Sequence, residues 1–245
     1  MTADALVAHL RRACRELNCR SGVRDHAEAV ERIVAAAVAA VPEASTVGLT
    51  PADTHPSTLD GVTAPIGELD ALQRELHEGP AMEVLDDPPP DGTVVAADFA
   101  GSDGARWPTF SEHVLDAGHR SMISVRLEVE GAPRAALNLY GSRADAFDGQ
   151  ARRAAGVFAL HAGMLLLAAE QAACLQRALA NRDLIGRAKG VMMERFGLDE
   201  DAAFARLVEA SQASNIKVVD VARWVDEQCG ERATSGAGPG RPHVA

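Results

Sequence analysis

"SMISVRLEVEGAPRAALNLY", residues 121–140, alternates its side chains in a way that decides what surrounds it. Ile123, Val125, Leu127 and Val129 are separated by Ser124, Arg126 and Glu128, so one sheet face is apolar and the other polar. EGAP (130–133) turns the chain, and RAALNLY (134–140) returns as the second hairpin strand. Working outward, STVGLT (45–50) and TVVAADF (93–99) read as further short strands. Residues 25–41 repeat apolar side chains at helical spacing up to Pro42, and 4–20, 67–79 and 106–118 also read as helices. Gly79-Pro80 opens one more helical turn, with proline in its preferred early position. Residues 51–66, rich in Pro, Thr, Asp and Gly, read as irregular chain with room for one strand. The expectation is an α+β unit over about residues 20–145, a small antiparallel sheet flanked by helices.

Beyond Asp148 the character changes. Residues 150–196 hold no proline and no strong turn signal, and apolar residues recur at helical spacing. A heptad register puts Val157, Met164, Gln171, Ala178, Ile185 and Met192 on one row, with His161, Ala168, Leu175, Arg182 and Lys189 beside it. A helix of this size calls for a partner helix, and a second copy of the chain is the economical one. Gly197 closes it, and Asp199 caps the next helix (200–213), whose first turn holds Glu200 and Asp201 where the dipole favours acids. That helix is expected to pack through Phe204, Leu207, Val208 and Ala210, and a third (218–228) through Val221, Ala222, Trp224 and Val225. Residues 230–245, GERATSGAGPGRPHVA, lack core-formers and are expected to be a disordered tail.

The chain carries 35 acids against 24 basic residues, a net charge of −11, with 47% hydrophobic content and a mean hydropathy of −0.06. This balance describes a soluble globular protein and argues against non-specific coating of nucleic acid, while leaving room for a small local site. The longest apolar runs, IVAAAVAAV (33–41) and GMLLLAA (163–169), are too short to span a bilayer. The N-terminal segment has no apolar core behind a basic start, so cytoplasmic residence without membrane contact is expected. Cys14, Cys19, Cys174 and Cys229 are scattered, with no CxxC pair and no histidine at ligand spacing, which predicts neither a disulfide framework nor a metal site. HExxH, triad-like settings and glycine-rich phosphate cradles are absent, so no enzyme and no cofactor is expected.

The basic residues are uneven: only Lys189 and Lys217 are lysine. Between 182 and 195 four bases (Arg182, Arg187, Lys189, Arg195) meet two acids (Asp183, Glu194). Arg182 and Lys189, seven apart, lie nearly in line and interrupt the apolar stripe. Spacing leaves two readings open. In one, this end of the helix leaves its partner and both side chains face or snorkel to water. In the other they contact phosphate, with small Ala188 and Gly190 allowing a nucleic-acid backbone close. Gly190 costs about 1 kcal/mol against alanine inside a helix, so it wants a reason such as tight packing or a close ligand.

NRDLIGRAKGVMMERFGL (181–198), DAAFARLVEAS (201–211) and SNIKVVDVARWV (214–225) together resemble an ANTAR domain, the RNA-binding module of bacterial transcription antiterminators. Ala188-Lys189-Gly190, Met193, Ala203-Phe204, Leu207, Asn215, Lys217 and Ala222 fall on that family's pattern. LDALQRELHEGPAMEVL (69–85), RWPTF (106–110), AALNLYG (135–141) and AFD (146–148) resemble the GAF domain that precedes ANTAR in many actinobacterial regulators. The resemblance implies an N-terminal helix (1–22), a GAF-like sensor domain (23–170), an ANTAR RNA-binding domain (171–229) and the tail (230–245).

It further implies a homodimer, joined through the long helix, that binds paired RNA hairpins in nascent transcripts and so prevents a terminator from forming. Carried onto this chain, it implicates Arg182, Lys189 and Lys217 most directly, then Arg187, Arg195, Ser211 and Asn215. Ala188, Gly190, Phe204 and Leu207 would shape and pack the module. The chain departs from the pattern at Val208 and Val219, where relatives often carry arginine, and at Ala81, where they commonly carry cysteine. No cysteine in the GAF-like segment is placed to anchor a bilin, and whether that segment holds an unknown small-molecule ligand or only dimerises stays open. Two alternatives stand beside the antiterminator: a protein–protein interaction regulator with lost or weakened RNA binding, and a small-molecule-binding GAF protein.

Overall fold

The structure is a computed structural model that describes residues 8, 11–15, 17, 26–52, 64–127, 129–131 and 134–235. Most of the irregular stretch expected at 51–66, parts of the expected first helix, and everything beyond Ser235 lie outside these residues. The elements run α1 (His26–Ala40), β1 (Thr46–Pro51), α2 (Ala64–Leu76), α3 (Pro80–Asp86), β2 (Thr93–Ala96), a 3-10 turn (Ser102–Ala105), α4 (Pro108–Asp116), β3 (Ser121–Leu127), β4 (Ala135–Gly141), α5 (Gly149–Phe196), α6 (Glu200–Ser214) and α7 (Val218–Ser235). They form two units divided after Ala173, and α5 contributes residues to both.

The first unit is built on a four-stranded sheet of order β1-β4-β3-β2, antiparallel throughout. The 121–140 hairpin is its centre, in register Ile123↔Leu139, Val125↔Leu137 and Leu127↔Ala135. These residues, with Val47 and Leu49, form the apolar face read from the alternation, and α1 and the start of α5 cover it through Val30, Ile33, Phe158, Ala162 and Leu166. Small side chains let α5 lie close to the sheet. At Gly163 a Cβ would stand 2.7 Å from Val129 Cγ2, too near for any real side chain.

The polar face of the hairpin is also buried. Helices α2, α3 and α4 cover it with Leu69, Val84, Leu85, Phe110 and Val114, packed on Met122, Ala136 and Tyr140. Its polar side chains therefore pair with one another, as buried polar groups must. Ser124 Oγ donates to Asn138 Oδ1 (2.7 Å), and Asn138 Nδ2 donates to Thr50 Oγ1 and Asp70 Oδ1 (both 2.8 Å). The Tyr140 hydroxyl donates to Asp70 Oδ1 (2.7 Å) and accepts from Gln73 Nε2 (3.3 Å), while Gln73 Oε1 receives the Ala81 N–H (2.9 Å).

Two expectations need revision. An 18-residue window of α5 reaches a mean hydropathy of 1.5, so this helix is long and apolar enough to cross a bilayer; the run-length reading missed this because alanines, not a block of large residues, carry the hydropathy. Its buried residues from Ala151 to Ala169 pack on the sheet, as in the core helix of a globular unit. Helix α7 runs on to Ser235, six residues into the segment assigned to the disordered tail. A lack of core-formers removes tertiary support but does not stop a helix whose own residues, here Glu231, Arg232 and Ala233, are good helix formers.

Burial pushes the Asp70 carboxyl up to about 6, against the opposing pull of its Tyr140 and Asn138 hydrogen bonds, the Leu49 backbone and the Arg74 charge. Its Oδ2 has no hydrogen-bond partner among the described residues. A folded-state value above the unfolded one means the native state holds the extra proton between about pH 4 and 6, so stability falls as pH rises through that window and levels off above it. The shift corresponds to roughly 3 kcal/mol. Asp70→Asn is expected to flatten this slope and to raise stability at pH 7 by about 1–3 kcal/mol in urea unfolding. A variant that keeps the slope would show that another group titrates.

Candidate nucleic-acid interface

The second unit is a three-helix module whose turns are set by local chemistry. Gly197 ends α5 in the left-handed conformation (φ 64°), which costs glycine least. Asp199 then caps α6, its carboxylate accepting the Ala202 N–H at 2.8 Å, with Glu200 and Asp201 following at the positive end of the helix dipole. Asn215 ends α6 with φ 55°, a region asparagine tolerates better than most residues. The module closes around Ala188, Met192, Ala203, Leu207, Val221 and Ala222.

That core differs from the sequence expectation in detail. Leu207, Val221 and Ala222 are inside as expected, but Ala203 takes the place assigned to Phe204, which is 44% exposed. Trp224, expected to pack, is 63% exposed. Ala188 is fully buried, but Gly190 is not packed at all: a Cβ there would meet nothing within 4 Å. Close packing therefore does not explain this glycine.

Four of the residues singled out from the sequence have defined partners. Lys189 Nζ donates to Glu200 Oε1 at 2.5 Å, lies 5.9 Å from the Phe204 ring centre, and is 20% exposed. The same hydrogen bond holds the Glu200 carboxyl below its usual range. Arg187 spans from α5 to α7, its Nε and Nη2 donating to Asp226 Oδ2 at 3.1 and 3.0 Å. Asn215 supplies the helix-ending conformation, and the Ser211 hydroxyl donates to the Ile216 carbonyl at 2.6 Å, so both shape the α6–α7 turn. Arg182, Arg195 and Lys217 are exposed and make no ion pair within the described residues. The Lys217 carbonyl receives the Asp220 and Val221 N–H groups at the start of α7.

Two concavities open on this module, and they share no residue. Arg182, Arg187 and Lys189 line the first, an open space of about 1040 Å³ that also takes in Phe204 and the acids Asp183 and Glu200. Here the aligned pair of the sequence, Arg182 and Lys189, is joined by Arg187, and two of the three are already ion-paired. The second, about 370 Å³, lies between α5, α6 and α7. Arg195 and Arg206 line it, with Phe196 and Trp224, and no acid does. The sequence pattern gave Arg206 and Trp224 no site role. A single arginine on a helix and a tryptophan at core spacing carry no such signal until the helices are assembled.

Residues 173–225 match the ANTAR domain. Two solved structures resemble the chain in fold at 12% identity: a bacteriophytochrome from R. palustris (TM-score 0.52, covering 87% of this chain and 47% of that one) and the phytochrome photosensory core module of Stigmatella aurantiaca (TM-score 0.50, 86% and 46%). The chain thus spans about half the length of these phytochrome chains. At this identity the likeness is one of fold, and it gives the sheet unit a GAF-like architecture ahead of the ANTAR domain. No curated protein matches the chain.

The open surface at Gly190 has a measurable consequence. Gly190→Ala is expected to stabilise the chain by about 1 kcal/mol, read as a higher midpoint of thermal or urea unfolding. A loss of stability would mean that something approaches this turn closely after all.

Proposed function

We propose that this chain is a cytoplasmic RNA-binding transcription antiterminator, in which a GAF-like sensing or dimerising unit governs how ANTAR modules are presented to tandem RNA hairpins. The single observation that carries this reading is the ANTAR match over 173–225, folded as a closed three-helix module with exposed cations. Hairpin loops suit such a surface because their unpaired bases offer edges and faces that a duplex hides. The ANTAR match supports a regulatory rather than a catalytic role for the second unit. A signal in the first unit acts only through different affinities for two arrangements of the dimer.

Dimerisation through α5 is supported by its exposed apolar side chains. Val157, Leu160, Met164, Leu175 and Leu179 form one stripe along the helix. A second reading, a protein-binding regulator with weakened RNA binding, draws on the ion pairs that occupy Lys189 and Arg187. Selection of RNA ligands with the full-length chain separates the two: enrichment of structured hairpins over a protein-free control supports the antiterminator, and no enrichment supports the rival.

Two further outcomes are expected. Glu200→Gln releases Lys189, which should tighten binding of the selected RNA about threefold or more at low salt and steepen the log K against log salt plot by about one; adding Lys189→Ala to that variant should bring the slope back by about one. If neither changes the slope, Lys189 is no phosphate contact. Leu160→Glu combined with Met164→Glu should convert the dimer to monomer in sedimentation at micromolar concentration; an unchanged dimer would place the interface elsewhere.

A further inference from the structure

The acid-free groove between α5, α6 and α7 carries an inference that rests on the RNA-binding reading and narrows it. Its floor is apolar and buried (Met192, Leu207, Val221), so the module's core is complete beneath it. Yet Trp224 on α7 and Phe196 at the end of α5 remain 63% and 56% exposed along it. Leaving two large rings in water forgoes the gain their burial would bring, and the module has no structural need to display them. Arg195 and Arg206 stand beside them, neither ion-paired with an acid within the described residues. The Arg195 guanidinium lies 5.8 Å from the centre of the Phe196 ring.

We propose that this groove seats an unpaired RNA base stacked on Trp224, with Arg195 and Arg206 holding the phosphates on either side of it. A flat aromatic next to unpaired guanidiniums is the combination that single-stranded nucleic acid recognises: the ring accepts any base face, and the cations follow the backbone. Charge distinguishes this groove from the other concavity. There Asp183 and Glu200 stand among the cations and Lys189 is already ion-paired, whereas here the two charged lining residues, Arg195 and Arg206, are both cations. A purely apolar partner helix would bury two guanidiniums without compensation, and phosphate supplies the missing charge.

The chain itself provides the probe. Of its two tryptophans Trp107 is buried, so Trp224 carries the solvent-accessible fluorescence of the full-length protein. The experiment titrates full-length protein with the hairpin RNA obtained by selection, and with the same RNA made abasic in its loops. Expected are quenching of Trp224 by the intact RNA and its loss with the abasic one. Trp224→Ala should weaken binding about 5- to 150-fold with an unchanged salt slope, and Trp224→Phe should recover most of it. Arg195→Ala and Arg206→Ala should each lower the salt slope by about one. Far-ultraviolet dichroism and melting of each variant separate a lost contact from a lost fold, and Trp224→Phe repeats the comparison with a ring retained.

Hairpins enriched by the wild type but bound equally well by Trp224→Ala overturn the groove assignment and leave the antiterminator reading standing. So does quenching that survives removal of the loop bases. If Trp224→Ala dissociates the dimer while the RNA affinity is kept, the groove is a protein interface and the inference is wrong. If selection enriches no RNA, the two readings fall together.

Discussion

One uninterrupted helix, Gly149–Phe196, must satisfy two hydrophobic cores, and most of this protein's organisation follows from that constraint. Its first twenty residues present Ala151, Ala155, Phe158, Ala162 and Leu166 to the sheet, and its last turns present Ala188 and Met192 to the three-helix module. Between them the exposed stripe from Val157 to Leu179 belongs to neither core. The geometry of an α-helix explains how one element does all three jobs. A row of residues seven apart drifts by roughly 20° per heptad, so over the five heptads from Val157 to Met192 it turns by about 100°. On that row Val157 and Met164 are exposed, whereas Met192 is buried in the three-helix module.

Lys189 lies beyond the exposed stripe, at the edge of the three-helix module. There Lys189 meets Glu200 and Phe204, residues that belong to α6. Acids in the first turn of α6 serve two purposes at once: they complement its dipole and they neutralise a cation of α5. In a chain of net charge −11, the nucleic-acid surface proposed above would draw on cations that escape such pairing. Arg182, Arg195, Arg206 and Lys217 are those cations within the described part of the module.

In the sheet unit the decisive feature is the second covered face. A carboxyl, a phenol, a carboxamide and two hydroxyls stay buried because each finds a partner across β1, β3, β4 and α2. Asp70 is the exception, with one oxygen unmatched, and it is therefore the group at which folding and protonation are coupled. Such a network fixes the register of the helices on the sheet more sharply than apolar contacts alone, since a shift of one residue would strand several polar groups.

Periodicity in the sequence determined a great deal: the β3–β4 hairpin and its apolar face, the long helix that begins near Asp148, and the caps at Asp199 and Gly197. These are local properties, set by which side of its own axis a residue occupies and by which backbone conformations it tolerates. The sequence also marked Arg182 and Lys189 as neighbours, because seven residues along a helix lead back to much the same side. Only the tertiary structure decided that Glu200 would hold Lys189 and Asp226 would hold Arg187, partners 11 and 39 positions away. It alone turned Trp224 and Phe204 outward, brought Arg206 beside Arg195, and buried the polar side of the hairpin. The reason is common to all of these. A pattern along the chain says which way a side chain points, whereas what stands opposite it depends on how separate elements pack.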